Sequence, residues 1–595
     1  MAASTSLSLC VVRYAPRTSS FAIATATWAI VGCGGGATTR PVAAPAPPGP
    51  PPAVAPPAPI PIAAPEVAPA PSSCEAFRRP PPDEATAKSA CADATAALAT
   101  LATAAVADDD AAAGDALASL ATCERLPTLL PELVWAERAP IACAESILAP
   151  VLDAKGRDAL PAQLATARAL VAASRLARLR PKAHAFDELA RAEVEPSAGA
   201  RATELVVAWK EALERAEVEA AALSKGAPSE IGAIARFEAA AAWLAFAKEL
   251  RATPFPTELA AQKGKDPDLE VRYFAKLDEV TMPVAEHARG LATQGLGIAA
   301  RDGILVKTLP SFQAILPPFQ SRPGFEIRRT RDLELLTTSP KPGGTASEAA
   351  AVRLAIRLPP WATYAALERA APALLLEPAV ARALAGQRGI PAALRQQLER
   401  ETDPKAKKDP KAAADPKKKA EIGSALVLAR LRVALTYGSR PDAEAAAAWT
   451  AAKAPEDLLR VAIAKALLGR EPKRDADPKK SGEDPTTAIR GYSLEPLDAL
   501  AKRPAPLGPA AVFDAALLAL DAAQTFTGPT ADPLAPPPDP RKAYDEAIAR
   551  LEAATKLGGL EAVRIDQARA LLDGARESRK LLDAPQKPSK PTKSP

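Results

Sequence analysis

Six cysteines and two histidines are the residues of this 595-residue chain best suited to metal binding, covalent linkage or proton transfer. Cys10 and Cys33 lie near the N-terminus, while Cys74, Cys91, Cys123 and Cys143 share one stretch. None forms a C-x-x-C pair, and His184 and His287 are distant in sequence, so the spacing of a zinc site is missing and no metal is expected. Four clustered cysteines point instead to two disulfides made in an oxidising compartment, with three possible pairings. Residues 84–107 and 111–124 read as two Ala/Leu-rich helices, with Asp108, Asp109 and Asp110 at their junction. Cys91 lies 17 residues before Asp108 and Cys123 lies 15 after it. At 1.5 Å per residue both stand ~23–26 Å from the turn, level with each other in an antiparallel hairpin. A Cys91–Cys123 bridge fits that register and leaves Cys74 for Cys143. The alternative is four buried free thiols. The acidic triplet is explained by turn solvation and helix-end charge rather than by a bound cation.

The patterns that catalysis requires do not assemble. The sequence contains no G-x-x-x-x-G-K-[ST], no G-x-S-x-G and no H-E-x-x-H. Asparagine is absent, which excludes a Cys-His-Asn arrangement. His287 follows Glu286 in a predicted helix and reads as a surface or hydrogen-bonded histidine. Gly295, Gly297 and Ala300 mimic a dinucleotide fingerprint, but no strand precedes them. Glu145-Ser146 is similar to the Glu-Ser pair that lytic transglycosylases carry on a helix. The Gly-Leu-Met-Gln element of that family is missing, and Met282 is the only methionine after the first residue. No catalytic residue and no cofactor are expected. An enzyme here would need two carboxylates brought together by the fold.

Composition narrows the class. Lys and Arg number 75 against 70 Asp and Glu, a net charge of +5 that is no nucleic-acid signature on so long a chain. The 63 prolines and 30 glycines fall below the ~25–30% of a wholly disordered chain, so proline should concentrate in linkers.

The N-terminus has the layout of an export leader. Arg13 and Arg17 precede residues 21–31 (FAIATATWAIV), an apolar run too short to span a bilayer. The run closes on Ile30-Val31-Gly32-Cys33, which resembles the lipobox of bacterial lipoproteins. That resemblance implies lipidation of Cys33, loss of residues 1–32 and a membrane anchor of acyl chains, each buried CH₂ worth ~0.8 kcal/mol. Gly34 stands where some Gram-negative families carry an inner-membrane retention Asp, so the resemblance implies the periplasmic side of the envelope and the outer membrane. Residues 40–71 are nearly all Ala, Pro and Val, a composition that favours extended polyproline II and suits a semi-rigid tether.

From residue 84 onward the apolar spacing is helical. Leu164, Ala167, Leu170, Val171 and Leu179 follow it, as do Ile231, Ile234, Phe237, Ala241 and Leu244. Trp135, Trp209, Trp243, Trp361 and Trp449 are expected to anchor the core in separate layers. The expected organisation is a leader (1–32), a lipidated Cys33 with tether (33–73), a Cys-containing helical hairpin region (74–155) and a helical body (156–401) with an irregular insertion or short hairpin near 303–340. A Lys/Pro-rich linker (402–419), helices (420–470), a charged linker (471–490), helices with a Pro-rich insertion at 528–541 (491–583) and a basic tail (584–595) follow.

Residues 540–557 place Tyr544, Ala547, Leu551 and Ala554 in a rhythm similar to the second helix of a tetratricopeptide repeat, with Gly558-Gly559 at the position of its terminal Pro. Residues 424–457 offer a second match: a helix ending at Gly438, then Ala445, Trp449 and Ala452 in small–large–small spacing. Small residues let antiparallel helices touch while the large one fills the gap to the next repeat. The resemblance implies helical hairpins with a binding face and assigns no ligand-contacting residue.

The expected fold is therefore all-α, helical hairpins stacked as an irregular solenoid or bundle with long disordered linkers. The expected role is an envelope-anchored scaffold that binds a protein or peptide partner without catalysis, held to the membrane by its lipid and making no nucleic-acid contact. The Lys-rich linkers suit weak contact with anionic envelope polymers. The alternatives are a glycan-cleaving helical enzyme without a recognisable motif and a purely structural spacer.

Overall fold

Among the described residues, proline starts helices more often than it sits inside them. A proline at the first or second helical position gives up an N–H that has no intrahelical partner anyway, and its fixed φ suits the first turn. Helices open in this way at Pro161, Pro360, Pro378, Pro416, Pro455 and Pro540. Prolines outside the expected linkers thus serve mainly as helix starts.

The structure is a computed structural model that describes residues 65–77, 91, 93–106, 117, 120, 123–156, 158–191, 196–260, 262, 264, 266–305, 345–402, 415–450, 452–469, 492–525 and 539–583. These residues belong to one unit, Ile62–Pro595. Among them the fold is all-α, with no strand. The α-helices are α1 (Ala94–Val106), α2 (Leu130–Arg138), α3 (Ala144–Lys155), α4 (Pro161–Arg178), α5 (Pro196–Leu223), α6 (Ser229–Arg251), α7 (Thr257–Ala260), α8 (Leu269–Asp302), α9 (Ala346–Arg357) and α10 (Pro360–Ala370). They continue as α11 (Pro378–Gly386), α12 (Ala392–Thr402), α13 (Pro416–Tyr437), α14 (Arg440–Ala447), α15 (Pro455–Leu467), α16 (Glu495–Ala501), α17 (Leu507–Thr525), α18 (Pro540–Lys556) and α19 (Ala562–Asp583). Cys33, the acidic triplet and most of the insertion near 303–340 lie outside the described residues, as do the 471–490 linker and the basic tail.

Three apolar clusters form the core. The first runs from Cys74 to Ala429, the second from Val427 to Leu518 and the third from Phe513 to Ala575. Helices α13 and α17 are shared between neighbouring clusters and are therefore apolar on nearly all sides. Residues 507–524 of α17 are long and apolar enough to cross a membrane, yet 78% of that window is buried inside the protein. It also carries Asp514 and Asp521 in the interior, and Tyr492 donates a hydrogen bond to Asp521. It is a core helix. From α13 to α19 each helix packs on the next, and several also reach the next but one, as α13 does α15 and α17 does α19.

Helix caps move several expected boundaries. Ala96 N–H donates to Asp93 Oδ1 at 2.6 Å, so α1 starts at Ala94 and Cys91 lies in the turn before it rather than inside a helix. Lys417 N–H donates to Asp415 Oδ1 at 2.9 Å, and Asp415-Pro416 thereby opens α13 four residues inside the expected 402–419 linker. Asp539-Pro540 repeats the device, with Arg541 N–H on Asp539 Oδ1 at 3.0 Å, so the 528–541 insertion ends in the first turn of α18.

The second repeat match is also corrected. Helix α14 stops at Ala447, so Ala445, Trp449 and Ala452 do not share one helical face. Ala445 is exposed, while Ala443 and Ala446 are buried. Trp449 instead turns back onto α13, where a Cβ on Gly423 would lie 2.8 Å from its Nε1. The first match fares differently: Ala547, Leu551 and Ala554 are buried on one stripe of α18, and Tyr544 packs half-buried beside them.

The junction between the end of α8 and the α11–α12 turn, inside the first cluster, needs glycine. Gly389 has φ +103°, and a Cβ there would meet the Gly303 carbonyl oxygen at 2.2 Å. Gly303 itself ends α8 in the left-handed region, and Leu305 N–H bonds the Arg388 carbonyl at 2.7 Å beside it. Gly389→Ala should therefore destabilise the chain by at least ~1–3 kcal/mol, read as a lower urea midpoint with an unchanged slope.

Candidate functional site

The segment that leads out of the Pro/Ala-rich stretch is pinned to the helical body at three places. Residues 65–71 have no regular secondary structure and pass into a 3-10 helix, Ser72–Phe77. Arg178 at the end of α4 donates from Nη1 to the Ala68 carbonyl at 2.8 Å, and Ala68 N–H returns a bond of 3.4 Å to the Arg178 carbonyl. Cys74 is bridged to Cys143 with Cα atoms 5.3 Å apart. Trp135 Nε1 of α2 donates to the Phe77 carbonyl at 2.9 Å, with the two rings 5.9 Å apart. Cys74 is 2% exposed and Cys143 0%, so solvent reductants have little access to that bridge. Cys91 is bridged to Cys123 with Cα atoms 5.5 Å apart. The connectivity is the one expected from the hairpin register, although Cys91 lies outside the helix on which that register was drawn. Closing loops of 69 and 32 residues removes chain entropy worth about 4 kcal/mol for each bridge.

Glu145 is the keystone of the same region. Its carboxylate accepts from Arg178 Nη2 and, at 2.8 Å, from Arg175 Nε. Its backbone N–H bonds Ser174 Oγ at 3.3 Å. Ser146 Oγ donates to the Cys143 carbonyl at 2.8 Å. Glu145 thus locks the N-terminus of α3 onto the end of α4, with both carboxylate oxygens engaged by guanidinium groups, while Ser146 bonds the turn before its own helix.

A second polar cluster joins three helices. Glu217 Oε2 on α5 bonds His287 Nε2 on α8 at 2.8 Å and accepts from Trp243 Nε1 on α6 at 2.8 Å. Burial pushes the Glu217 carboxyl up, but the hydrogen bonds and charge of His287 and the Trp243 N–H outweigh it and hold it below its ordinary 4.5. His287 is held above its ordinary 6.5 by the Glu217 hydrogen bond, against the opposing effect of burial. His184, the other histidine, is exposed at φ +64° with Asp187 Oδ2 3.3 Å from Nδ1.

A third cluster is deeper. Arg388, between α11 and α12, donates from Nη1 to Glu137 Oε1 of α2 at 2.9 Å and to Glu230 Oε1 of α6 at 2.6 Å. The Glu230 side chain is 0% exposed and that of Glu137 4%. Burial acts to lower the Arg388 pKa, but the two carboxylates more than offset it and hold the guanidinium above its ordinary range. This is a packing ion cluster that ties three distant parts of the chain together. Gly295, in the fingerprint-like stretch, sits mid-helix in α8, where a Cβ would meet the Phe237 ring at 2.8 Å. Its role is close helix packing.

None of these clusters joins a nucleophile, a base and an orienting group. Among the described residues, no group of three or more His, Cys, Asp or Glu could hold a metal ion. Arg178, Arg388, Glu217 and Trp135 carry the long-range contacts and were not singled out as polar partners by the sequence. Their partners stand 110, 251, 70 and 58 residues away, beyond any local pattern. Compared with protein-family models, with curated proteins and with solved structures, the chain matches none.

Arg388→Met should cost ~3–5 kcal/mol, because it leaves two buried carboxylates without their counter-charge. Thermal or urea unfolding measures this. Restoring a good part of the loss by adding Glu137→Gln and Glu230→Gln would show that the cost is electrostatic.

Proposed function

We propose that this protein is an exported, lipid-anchored helical scaffold of the cell envelope, which binds a protein or peptide partner and performs no catalysis. The observation that carries the reading is the pinned arm. The last residues of the Pro/Ala-rich tether and those directly after it are clamped by Arg178 at Ala68, covalently closed by Cys74–Cys143 and held by Trp135 at Phe77. A tether transmits position from a membrane to a folded body only if its last residues are fixed to that body, and this arm has that property. Two disulfides within the first folded region agree with an oxidising compartment. The lipobox-like Ile30-Val31-Gly32-Cys33 supplies the anchor, on the resemblance given above.

The binding part of the proposal rests on α13 to α19. Neighbour-to-neighbour packing along the chain, with α18 presenting the Tyr544, Ala547, Leu551, Ala554 stripe inward, is the packing from which tetratricopeptide-like arrays build a concave face for peptides. The polar outer side of α19, with Asp566, Arg569, Asp573 and Arg576, suits a terminal helix that closes such an array.

Cys33→Ala should move the protein from the membrane to the soluble fraction. Unchanged fractionation would refute the anchor. Non-reducing peptide mapping should recover Cys74–Cys143 and Cys91–Cys123 from protein isolated without reductant, and four alkylatable thiols would place the chain in a reducing compartment. In-cell crosslinking should map a reproducible partner to helices α13–α19, whereas turnover of murein by the purified chain would replace the scaffold with an enzyme.

A further inference from the structure

The Glu217–His287 pair sits where a proton can act on helix packing. Helices α5 and α8 both pack along α6, and the pair joins them directly. Trp243 of α6 holds both partners: its indole N–H donates to the Glu217 oxygen that His287 uses, and its ring meets the imidazole edge-on at 5.1 Å and 86°. The His287 side chain is 48% exposed, so it exchanges protons with solvent freely, while Glu217 beneath it is mostly covered. We infer that this cluster is a proton-operated clasp, in which the imidazolium locks α5 onto the α6–α8 pair and loss of its proton loosens α5.

The chemistry follows from the geometry. With both ring nitrogens protonated, Nε2–H donates a charge-assisted bond to the carboxylate. The neutral ring keeps a weaker bond only in the Nε2–H tautomer. In the other tautomer a nitrogen lone pair faces a carboxylate oxygen. The surrounding charges favour the locked state: Glu214 of α5 adds negative charge near His287, and Arg236 of α6 supports the Glu217 anion. On α8 itself, Glu286 and Arg289 flank the imidazole and pair with each other at 3.9 Å.

The pH window follows from the two directions. His287 titrates above its ordinary 6.5, so its contribution is complete below that value and is lost as pH rises through the raised folded pKa. Glu217 titrates below its ordinary 4.5, so its contribution is present above that value and is lost as pH falls through the lowered one. The clasp is therefore tightest in mild acid and opens toward alkaline pH. Histidine is the side chain whose ordinary pKa lies in this range, and the chain has only two.

The test uses the full chain. Histidine Cε1–H resonances, assigned with His287→Gln, should show His287 titrating above its ordinary 6.5. Amide exchange protection in α5, corrected for intrinsic rate, should fall ~2–5-fold between about pH 5.5 and 8.5, the scale of a half-exposed ion pair. Its midpoint should coincide with the His287 titration. His287→Gln keeps an N–H donor toward Glu217 but cannot titrate, so α5 protection should lose this pH dependence. Glu217→Gln should lower the His287 titration point even if α5 is loosened throughout. Equal pH dependence of α5 in the wild type and His287→Gln, or His287 titrating at or below its ordinary 6.5, would overturn the clasp.

Discussion

Alanine is the commonest residue in the core of the described chain, and it stabilises each contact only slightly. At about 25 cal/mol per Å² of apolar surface removed from water, a methyl side chain contributes far less than a leucine or phenylalanine. Alanine does favour the helix itself and lets helices approach closely, as at Ala547 and Ala554 of α18 or Ala443 and Ala446 of α14. Non-directional packing of small residues holds helices together without strongly fixing which helix meets which. Position is set instead by sparse, directional links: two disulfides, the Arg388–Glu137–Glu230 cluster and the Glu145–Arg178 clamp. Arg432 adds another. Buried in α13, it donates to the Ala385 and Gly386 carbonyls and so satisfies the C-terminal end of α11.

These links share a geometry. Each joins segments far apart in sequence, and each uses a rigid or multidentate group: a guanidinium, an indole N–H or a disulfide. The few large side chains mark the same junctions. Trp135 packs on Phe77 of the arm, Trp243 braces Glu217 and His287, and Trp449 seats on Gly423. Trp135, Trp243 and Trp361 are buried as core anchors should be, whereas Trp209 and Trp449 remain half-buried at helix seams.

The polar groups that looked most chemical in the sequence have structural work in the fold. Glu145 fastens α3 to α4, Ser146 bonds the turn before α3, Gly295 makes room for Phe237, and His287 joins two helices through Glu217. Three titratable clusters thus act on helix placement, and the two with carboxylates in contact with arginine hold those carboxylates in fixed hydrogen bonds. The arm, the staples and the Glu217–His287 pair all concern how the helices are held in place, which the proposed tethered scaffold would require.

Much of the helical class was legible from the chain alone, because 3.6-residue periodicity and alanine content act within a single helix. The stripes at Leu164–Leu179 and Ile231–Phe237, the end of α13 at Gly438 and the inward face of α18 are local consequences of residue type. The pairing of Cys74 with Cys143 and Cys91 with Cys123 was reachable too, since an even cluster in a short stretch leaves few options. Asp-Pro steps were read as linkers although Asp415-Pro416 and Asp539-Pro540 start helices, because a proline that breaks one helix is also suited to begin the next. Tertiary contact alone decided that α14 stops at Ala447 so that Trp449 can cover Gly423, that Arg388 meets two carboxylates, and that Glu217 meets His287. Those outcomes depend on distances between residues 26 to 251 positions apart, and only the folded chain sets such distances.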